Sequence, residues 1–243
     1  MTKNSAISVA KCIKSVLWAD EIVVVDAYST DNTREIAAQA GARVVEKEWE
    51  GISLQQEFAL LQTLCEWVLM LDPDEEVSKE LKAEILHHTQ QRGIVHGFKI
   101  ARKHLFLGME MKHGGWSTEY QLRLFKKSST RMMYYPAHSG FVVDGTVGML
   151  RSFLTHHIAS SLHHYIGHMN EHTTYSVRGE SDDGLKTNLV KLLASPLIVF
   201  VRRYIVQFGF MDRLPGFLSA YYASLETLMM HAKRWEQQKL IRV

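Results

Sequence analysis

An α/β fold is predicted by three observations: short β-branched runs that end in a carboxylate, helix start and stop signals between those runs, and 46% apolar against 22% charged residues. At 243 residues the chain is long enough to bury one sizeable core and to carry an appendage. With 15 Gly, 4 Pro and 2 Cys, the composition excludes disorder, a collagen-like repeat and a small disulfide scaffold.

The first run, Glu21-Ile22-Val23-Val24-Val25-Asp26, reads as a buried parallel strand. Tyr28 to Gly41 follows as a helix: Ser29, Thr30, Asp31 and Asn32 crowd its start, Glu35 stands three residues after Asn32, and Gly41 ends it. Ala42 to Glu46 gives a second strand, Ser53 with Gln56 opens a second helix, and Trp67 to Leu71 gives a third strand that runs into Asp72. A β-α-β-α-β order predicts right-handed crossovers, a mainly parallel sheet and ligand binding beyond the carboxyl ends of the strands. Asp26 and Asp72 then share one rim.

Asp72-Pro73-Asp74-Glu75-Glu76 is the sharpest motif. Residues two apart on a regular strand point to opposite faces, so Asp72 and Asp74 converge only where the strand stops, and Pro73 stops it. Convergent carboxylates suit Mg2+ or Mn2+, completed by water and by a substrate's phosphates. The competing reading is an acidic loop before a helix at Ser78, with Glu75 and Glu76 complementing the helix dipole.

With these stretches in place, the chain resembles a family 2 glycosyltransferase with the GT-A nucleotide-sugar fold, and more narrowly the bacterial lipopolysaccharide-core glucosyltransferase type. The matching segments are Trp18 to Asp26, Ser29-Thr30-Asp31, Trp49-Glu50-Gly51, Leu71 to Val77, Gly114-Gly115-Trp116 and Gln121-Leu122-Arg123-Leu124-Phe125. The resemblance implies a GT-A mixed sheet flanked by helices over residues 1–155, a helical appendage over 156–243, and inversion at the anomeric carbon. It implies that Asp26 contacts the nucleobase, that Asn4, Gln55 and Asp72 join the nucleotide set, and that Asp72 and Asp74 hold the metal on the donor diphosphate. The chain departs from the family pattern in three places. Met1 stands directly before Thr2-Lys3-Asn4-Ser5, where a hydrophobic first strand is expected; Gln55-Gln56-Glu57 replaces a basic residue followed by Asn; and His138-Ser139 replaces a His-Glu pair. The missing strand is expected to leave a gap in the sheet.

Inverting transfer needs one base within hydrogen-bond reach of the acceptor hydroxyl. Glu119 is the first candidate because it follows Gly114-Gly115-Trp116, a loop whose small residues admit a sugar and whose indole can stack on it; His138 is the second. Arg123, between Leu122 and Leu124 on an alternating strand, either clamps a phosphate or catalytic carboxylate or faces solvent. His164, His168 and His172 form one helical stripe, too widely spaced on one straight helix to close on a single zinc ion, and read as a polar face.

Charge divides the chain. Residues 1–184 hold 19 Lys and Arg against 23 Asp and Glu, whereas residues 185–243 hold 9 against 3. Apolar segments at 192–201 and 214–230 fall short of the ~20 residues of a spanning helix and are flanked by Arg202, Arg203, Arg213, Lys233 and Arg234. That pattern predicts interfacial helices on an anionic inner-membrane surface; a helical hairpin packed on the catalytic domain or on a dimer partner is the other reading. Few cysteines and no signal-peptide pattern place the chain in the cytoplasm, peripheral on the inner face of the plasma membrane. The expected activity is transfer of a hexose, glucose from UDP-glucose above all, to a lipid-linked or core saccharide, with no nucleic acid as partner. The alternative is an N-terminally truncated, non-catalytic remnant that binds membrane or protein.

Overall fold

The computed structural model describes residues 1–91, 93–116, 119–134, 140–159, 161–178 and 189–240. A short helix α1 (Val9–Ser15) precedes the valine run, which forms β1 (Val23–Asp26). Helix α2 (Thr33–Gln39) returns the chain to β2 (Arg43–Glu46), which pairs with β1 in parallel, Val24 opposite Val44. The helix is shorter than the 28–41 span expected from its start and stop signals. Tyr28 has φ 53°, which no right-handed helix admits, and Asp31 accepts from the N–H groups of Ala6 and Thr33, so it forms the turn before the helix.

Helix α3 (Ile52–Gln62) leads to β3 (Trp67–Leu69); β4 (Glu75–Val77) and α4 (Lys79–Gln90) follow. Ser78 caps α4, its Oγ accepting from the Leu81 N–H at 3.1 Å. The acidic stretch before Ser78 is a strand and not the loop of the competing sequence reading: Glu75 and Val77 face inward and Glu76 is half-buried between them. Six further strands are β5 (Val95–Phe106), β6 (Met109–Glu110), β7 (Tyr120–Lys126), β8 (Thr130–Met133), β9 (Gly140–Val143) and β10 (Thr146–Ala159). The larger sheet has the order β3-β7-β5-β10-β4, with β6 on β5, while β8 and β9 form a separate hairpin.

The fold is a mixed α/β structure, as the sequence predicts, but the sheet is not mainly parallel. Among the registers described, only β1 with β2 is parallel, and β3 lies antiparallel to β7. The reason is a gap. Apart from a one-residue bridge between Thr2 and Asp26, no described strand pairs with the second edge of β1 or of β3. A cavity of about 580 Å³ lined by Val24, Val25, Val68, Met70 and Ile13 separates two small cores, one around Val9, Ile13 and Val24, the other around Leu60, Val68 and Phe125. Unpaired strand edges on an apolar slot invite one more strand. Five alternating apolar residues fused ahead of Met1 are therefore expected to raise the melting midpoint by about 5–10 °C, from two or three newly buried side chains. A Gly/Ser pentapeptide fused at the same place is the control, and equal midpoints for the two fusions in thermal denaturation would show that the slot takes no strand.

Packing divides the chain into two units, Met1–Lys103 with Thr118–His156, and His104–Ser117 with His157–Val243. The first holds the largest core, in which Leu81 and Ile85 of α4 meet Ile100, Leu124 and Leu154 of the sheet. The second contains α5 (Leu162–Arg178), α6 (Leu189–Val201), a π-helical turn at Arg202–Val206 and α7 (Arg213–Leu240). Its core surrounds Phe106, Met111 and Ala159, against which Tyr165, Leu218 and Tyr222 pack. Lys233 ties α7 to α5 by donating to the Asn170 carbonyl and to the hydroxyls of Thr173 and Thr174.

Candidate active site

Strands β4, β5, β7 and β10 of the first unit send Glu75, Arg102, Arg123 and His156 to the segment after β3. β3 ends at Leu69, short of the Leu71 expected from the sequence; the Met70 N–H still bonds to the Arg123 carbonyl at 2.8 Å, ahead of Asp72-Pro73-Asp74. Asp72 Oδ2 accepts from Arg123 Nη2 at 2.6 Å, and the same nitrogen reaches Glu75 Oε1 at 2.8 Å. Glu75 Oε2 accepts the Asp72 backbone N–H at 2.9 Å, closing a ring around the turn. From β5, Arg102 lies 3.7 Å from Glu75 and 2.8 Å from Glu119; from β10, His156 Nε2 lies 3.4 Å from Asp74 Oδ2.

Burial sets the electrostatics. Glu75 is 0% and Arg123 5% exposed, so this pair is held in a medium that penalises any unpaired charge. For Asp72, burial works against ionisation, but the charge and hydrogen bond of Arg123 outweigh it and hold the carboxyl below the usual range. For Glu75, burial wins over Arg123 and lifts the carboxyl above that range. Arg123 thus settles an open question from the sequence: it clamps carboxylates and is not on a solvated strand face. Cys12, whose Sγ bonds to the Asp72 carbonyl, has its thiol pushed up by burial to about 12, which removes it as a nucleophile.

Asp72 and Asp74 keep 35% and 36% of their side chains exposed. Two hard oxygen donors open to solvent fit Mg2+ or Mn2+ in a site that substrate phosphates and water complete. Among the described residues, no three His, Cys, Asp or Glu side chains are grouped so as to hold a metal ion.

Of the other residues expected at the nucleotide, Asp26 ends β1, Asn4 lies before α1 and Gln55 lies in the first turn of α3. Asp26 is fully buried, and its carboxylate accepts from the Ser29 N–H at 2.7 Å, the Ser29 hydroxyl at 2.6 Å and the Thr2 hydroxyl at 2.9 Å. Its oxygens thereby organise the loop after β1. Asn4, at φ 50°, accepts the Thr30 N–H on its side-chain oxygen and donates its own N–H to Ser29. Gln55 is buried with Nε2 on the Lys47 carbonyl, while its Oε1 has no hydrogen-bond partner.

Glu119 is held by Arg102 with 60% of its side chain exposed, so it joins the Asp72 network through Arg102 and Glu75. His138 lies outside the described residues. Gly114, Gly115 and Trp116 belong to the second unit. Gly115 has φ 88°, a left-handed conformation that favours glycine, and a Cβ there would meet the flexible end of Gln207, Oε1 at 2.7 Å. The Trp116 indole donates to Ser219 Oγ at 2.7 Å and has His104 at 5.3 Å and the Arg203 guanidinium at 5.6 Å from its ring.

Three members of the network were not singled out as site residues in the sequence. Glu75 was read only as dipole-complementing, and Arg102 and His156 carry no local signal. His156 stands opposite Glu75 in the β10–β4 register, a relation between residues 81 positions apart. The histidine stripe of α5 meets a neighbouring helix: His172 Nδ1 lies 2.8 Å from Glu226 of α7, and the His168 and His172 rings stack.

Carboxylates and arginines gathered beside the end of β3 mark a candidate ligand site of this α/β unit. The chain belongs to glycosyl transferase family 2, whose profile matches residues 1–157. It is 27% identical over 244 residues to the lipopolysaccharide core biosynthesis glycosyltransferase LpsC of Rhizobium meliloti (strain 1021), covering 98% of this chain and 90% of that protein. An uncharacterized glycosyltransferase of Rickettsia conorii is 44% identical over 111 residues, which are 43% of this chain and 39% of that one. Among solved structures, glucosyl-3-phosphoglycerate synthase from Mycobacterium tuberculosis, in complex with Mn2+, uridine-diphosphate and glucosyl-3-phosphoglycerate, aligns with a TM-score of 0.45 at 16% identity. The alignment covers 76% of this chain and 80% of that one.

Proposed function

We propose that this glycosyltransferase moves a hexose, glucose from UDP-glucose in the first place, with inversion onto a lipid-linked or lipopolysaccharide-core saccharide at the inner face of the plasma membrane. The observation that carries the reading is the Asp72–Asp74 pair beyond β3, with Asp72 kept ionised and aimed by Arg123. The acceptor class rests on the similarity to LpsC along nearly the whole chain. Asp72 and Asp74 would hold Mg2+ or Mn2+, which when bound supplies positive charge against the departing diphosphate.

The chain's own residues do the rest. Glu119 takes the proton from the attacking acceptor hydroxyl, and Arg102 fixes its carboxylate in place. Gln55 Oε1, buried without a partner, is an acceptor for a donor N–H such as that of a pyrimidine base.

Incubation with UDP-glucose and Mn2+ tests the reading. Release of free UDP, accelerated by a core saccharide, is the expected result; pyrophosphate release in a parallel incubation with UTP and glucose 1-phosphate would make the chain a nucleotidyltransferase, and absence of any product in both would leave the non-catalytic alternative. In the same assay Glu119→Gln should lower kcat about 10²–10⁴-fold with the donor KM unchanged. An unaltered kcat would remove Glu119 from the base role.

A further inference from the structure

The second unit carries a helix, packed on α7 through Phe200 and Phe217, that leaves one face uncovered. Helix α6 has no buried residue. Leu189, Leu193, Leu197 and Val201 recur every four positions and so form one stripe, with Leu193 and Leu197 each 64% exposed. Beyond the π-helical turn, Phe208, Phe210 and Met211 extend the exposed apolar surface.

Charge on this surface has one sign. Residues 189–211 contain no Asp or Glu, while Lys191, Arg202 and Arg203 lie within them and Arg213 follows. The nearest carboxylate in sequence, Asp212, is consumed locally: it accepts the N–H groups of Lys112 and His113 at 3.0 and 2.8 Å and lies 2.8 Å from His113 Nδ1. Burial opposes its ionisation, but those bonds outweigh it and hold its carboxyl below the ordinary range.

Two occupants for such a surface are ruled against by the same facts. A second copy of the chain, packed across a two-fold axis, would set this cationic segment against an identical one. A bilayer crossing is too long: 13 residues of helix extend about 20 Å, against a hydrocarbon core of about 30 Å, and no described helix is long and apolar enough to span. Building on the membrane placement proposed above, we infer that α6 and the turn after it lie in the plane of an anionic leaflet. The leucine stripe sits among the upper acyl carbons, and Arg202 and Arg213 meet the lipid phosphates.

Flotation of the full chain with vesicles tests this without donor or acceptor. Binding to vesicles of phosphatidylcholine with 30% phosphatidylglycerol is expected, with weak binding to phosphatidylcholine alone and partial release by 0.5 M NaCl. Leu193→Glu with Leu197→Glu, both at exposed positions, should abolish flotation while leaving the melting midpoint unchanged. Arg202→Gln and Arg213→Gln should each weaken binding to the anionic vesicles about fivefold. Recovery of the wild-type chain in the vesicle-free fraction with both lipids would overturn the inference. So would unchanged flotation of the leucine variant, or a dimer in sedimentation velocity that the leucine variant dissociates while flotation persists. UDP release is measured in parallel: vesicle binding without UDP release overturns only the catalytic reading, and UDP release without vesicle binding overturns only the membrane inference.

Discussion

Sugar transfer by the Asp72→Asn variant is expected to fall about 10²–10³-fold while the fold stays intact. Asparagine keeps the volume of the side chain and one oxygen that can accept from Arg123 Nη2, now at 2.6 Å from Asp72. What disappears is the negative charge, and with it one of the two carboxylates proposed to hold a divalent ion. Glu75 remains to neutralise Arg123, at 2.8 Å, so the substitution leaves no buried cation alone. The melting midpoint should therefore move by only a few degrees. Binding and activity separate the causes: calorimetry with Mn2+ and UDP should show the loss of ion uptake in the variant, and steady-state kinetics should show the drop in kcat/KM. Asp74→Asn is expected to be milder, because Asp74 carries no arginine and sits beside His156. Wild-type rates in Asp72→Asn would remove the carboxylate pair from the chemistry.

How much of this could be read from the sequence depends on how local each signal is. The valine run before Asp26 and the Ser78 cap were legible because a strand's alternation and a helix's first turn are written within a few residues. The Asp72-Pro73-Asp74 break was legible for the same reason. Glu75 was not, since a three-residue strand inside an acidic stretch offers no periodicity, and only the β10 register shows that its carboxylate faces inward. Arg123 was half legible: the alternation with Leu122 and Leu124 was plain, but an arginine on the opposite face says nothing about whether that face is covered. The passage of residues 104–117 into the second unit rests on contacts such as Asp212 with Lys112 and His113, about a hundred positions apart. No local pattern encodes such a contact.

The largest effect on stability is expected from Arg123→Met. Methionine fills much of the arginine's volume but leaves Glu75, 0% exposed, with only its bond to the Asp72 N–H and Arg102 at 3.7 Å. Removing one partner of a buried ion pair costs about 3–5 kcal/mol, which for a chain of this size lowers the melting midpoint by roughly 10 °C. The cost should depend on pH in a definite direction. Burial already raises the Glu75 carboxyl against the opposing charge of Arg123, and without that charge it rises further. A carboxyl whose folded pKa exceeds its unfolded value burdens the native state increasingly as pH climbs from the unfolded value through the folded one, and not at all below both. Asp72 acts the opposite way in the wild type. Burial resists its ionisation, but Arg123 depresses its carboxyl, so the stability it contributes is present above its unfolded pKa and fades as pH falls through the folded one. Between pH 5 and pH 8 the Glu75 effect acts alone, since that of Asp72 sets in only below its unfolded pKa, so thermal melts at pH 8 should separate the two proteins more widely than melts at pH 5. Adding Glu75→Gln to Arg123→Met removes the stranded charge and should recover a large part of the loss at pH 8, with little change at pH 5. A gap that stays constant with pH, or a double variant no more stable than Arg123→Met alone, would show that the methionine fails for reasons of shape and that the buried carboxylate is not what Arg123 is there to hold.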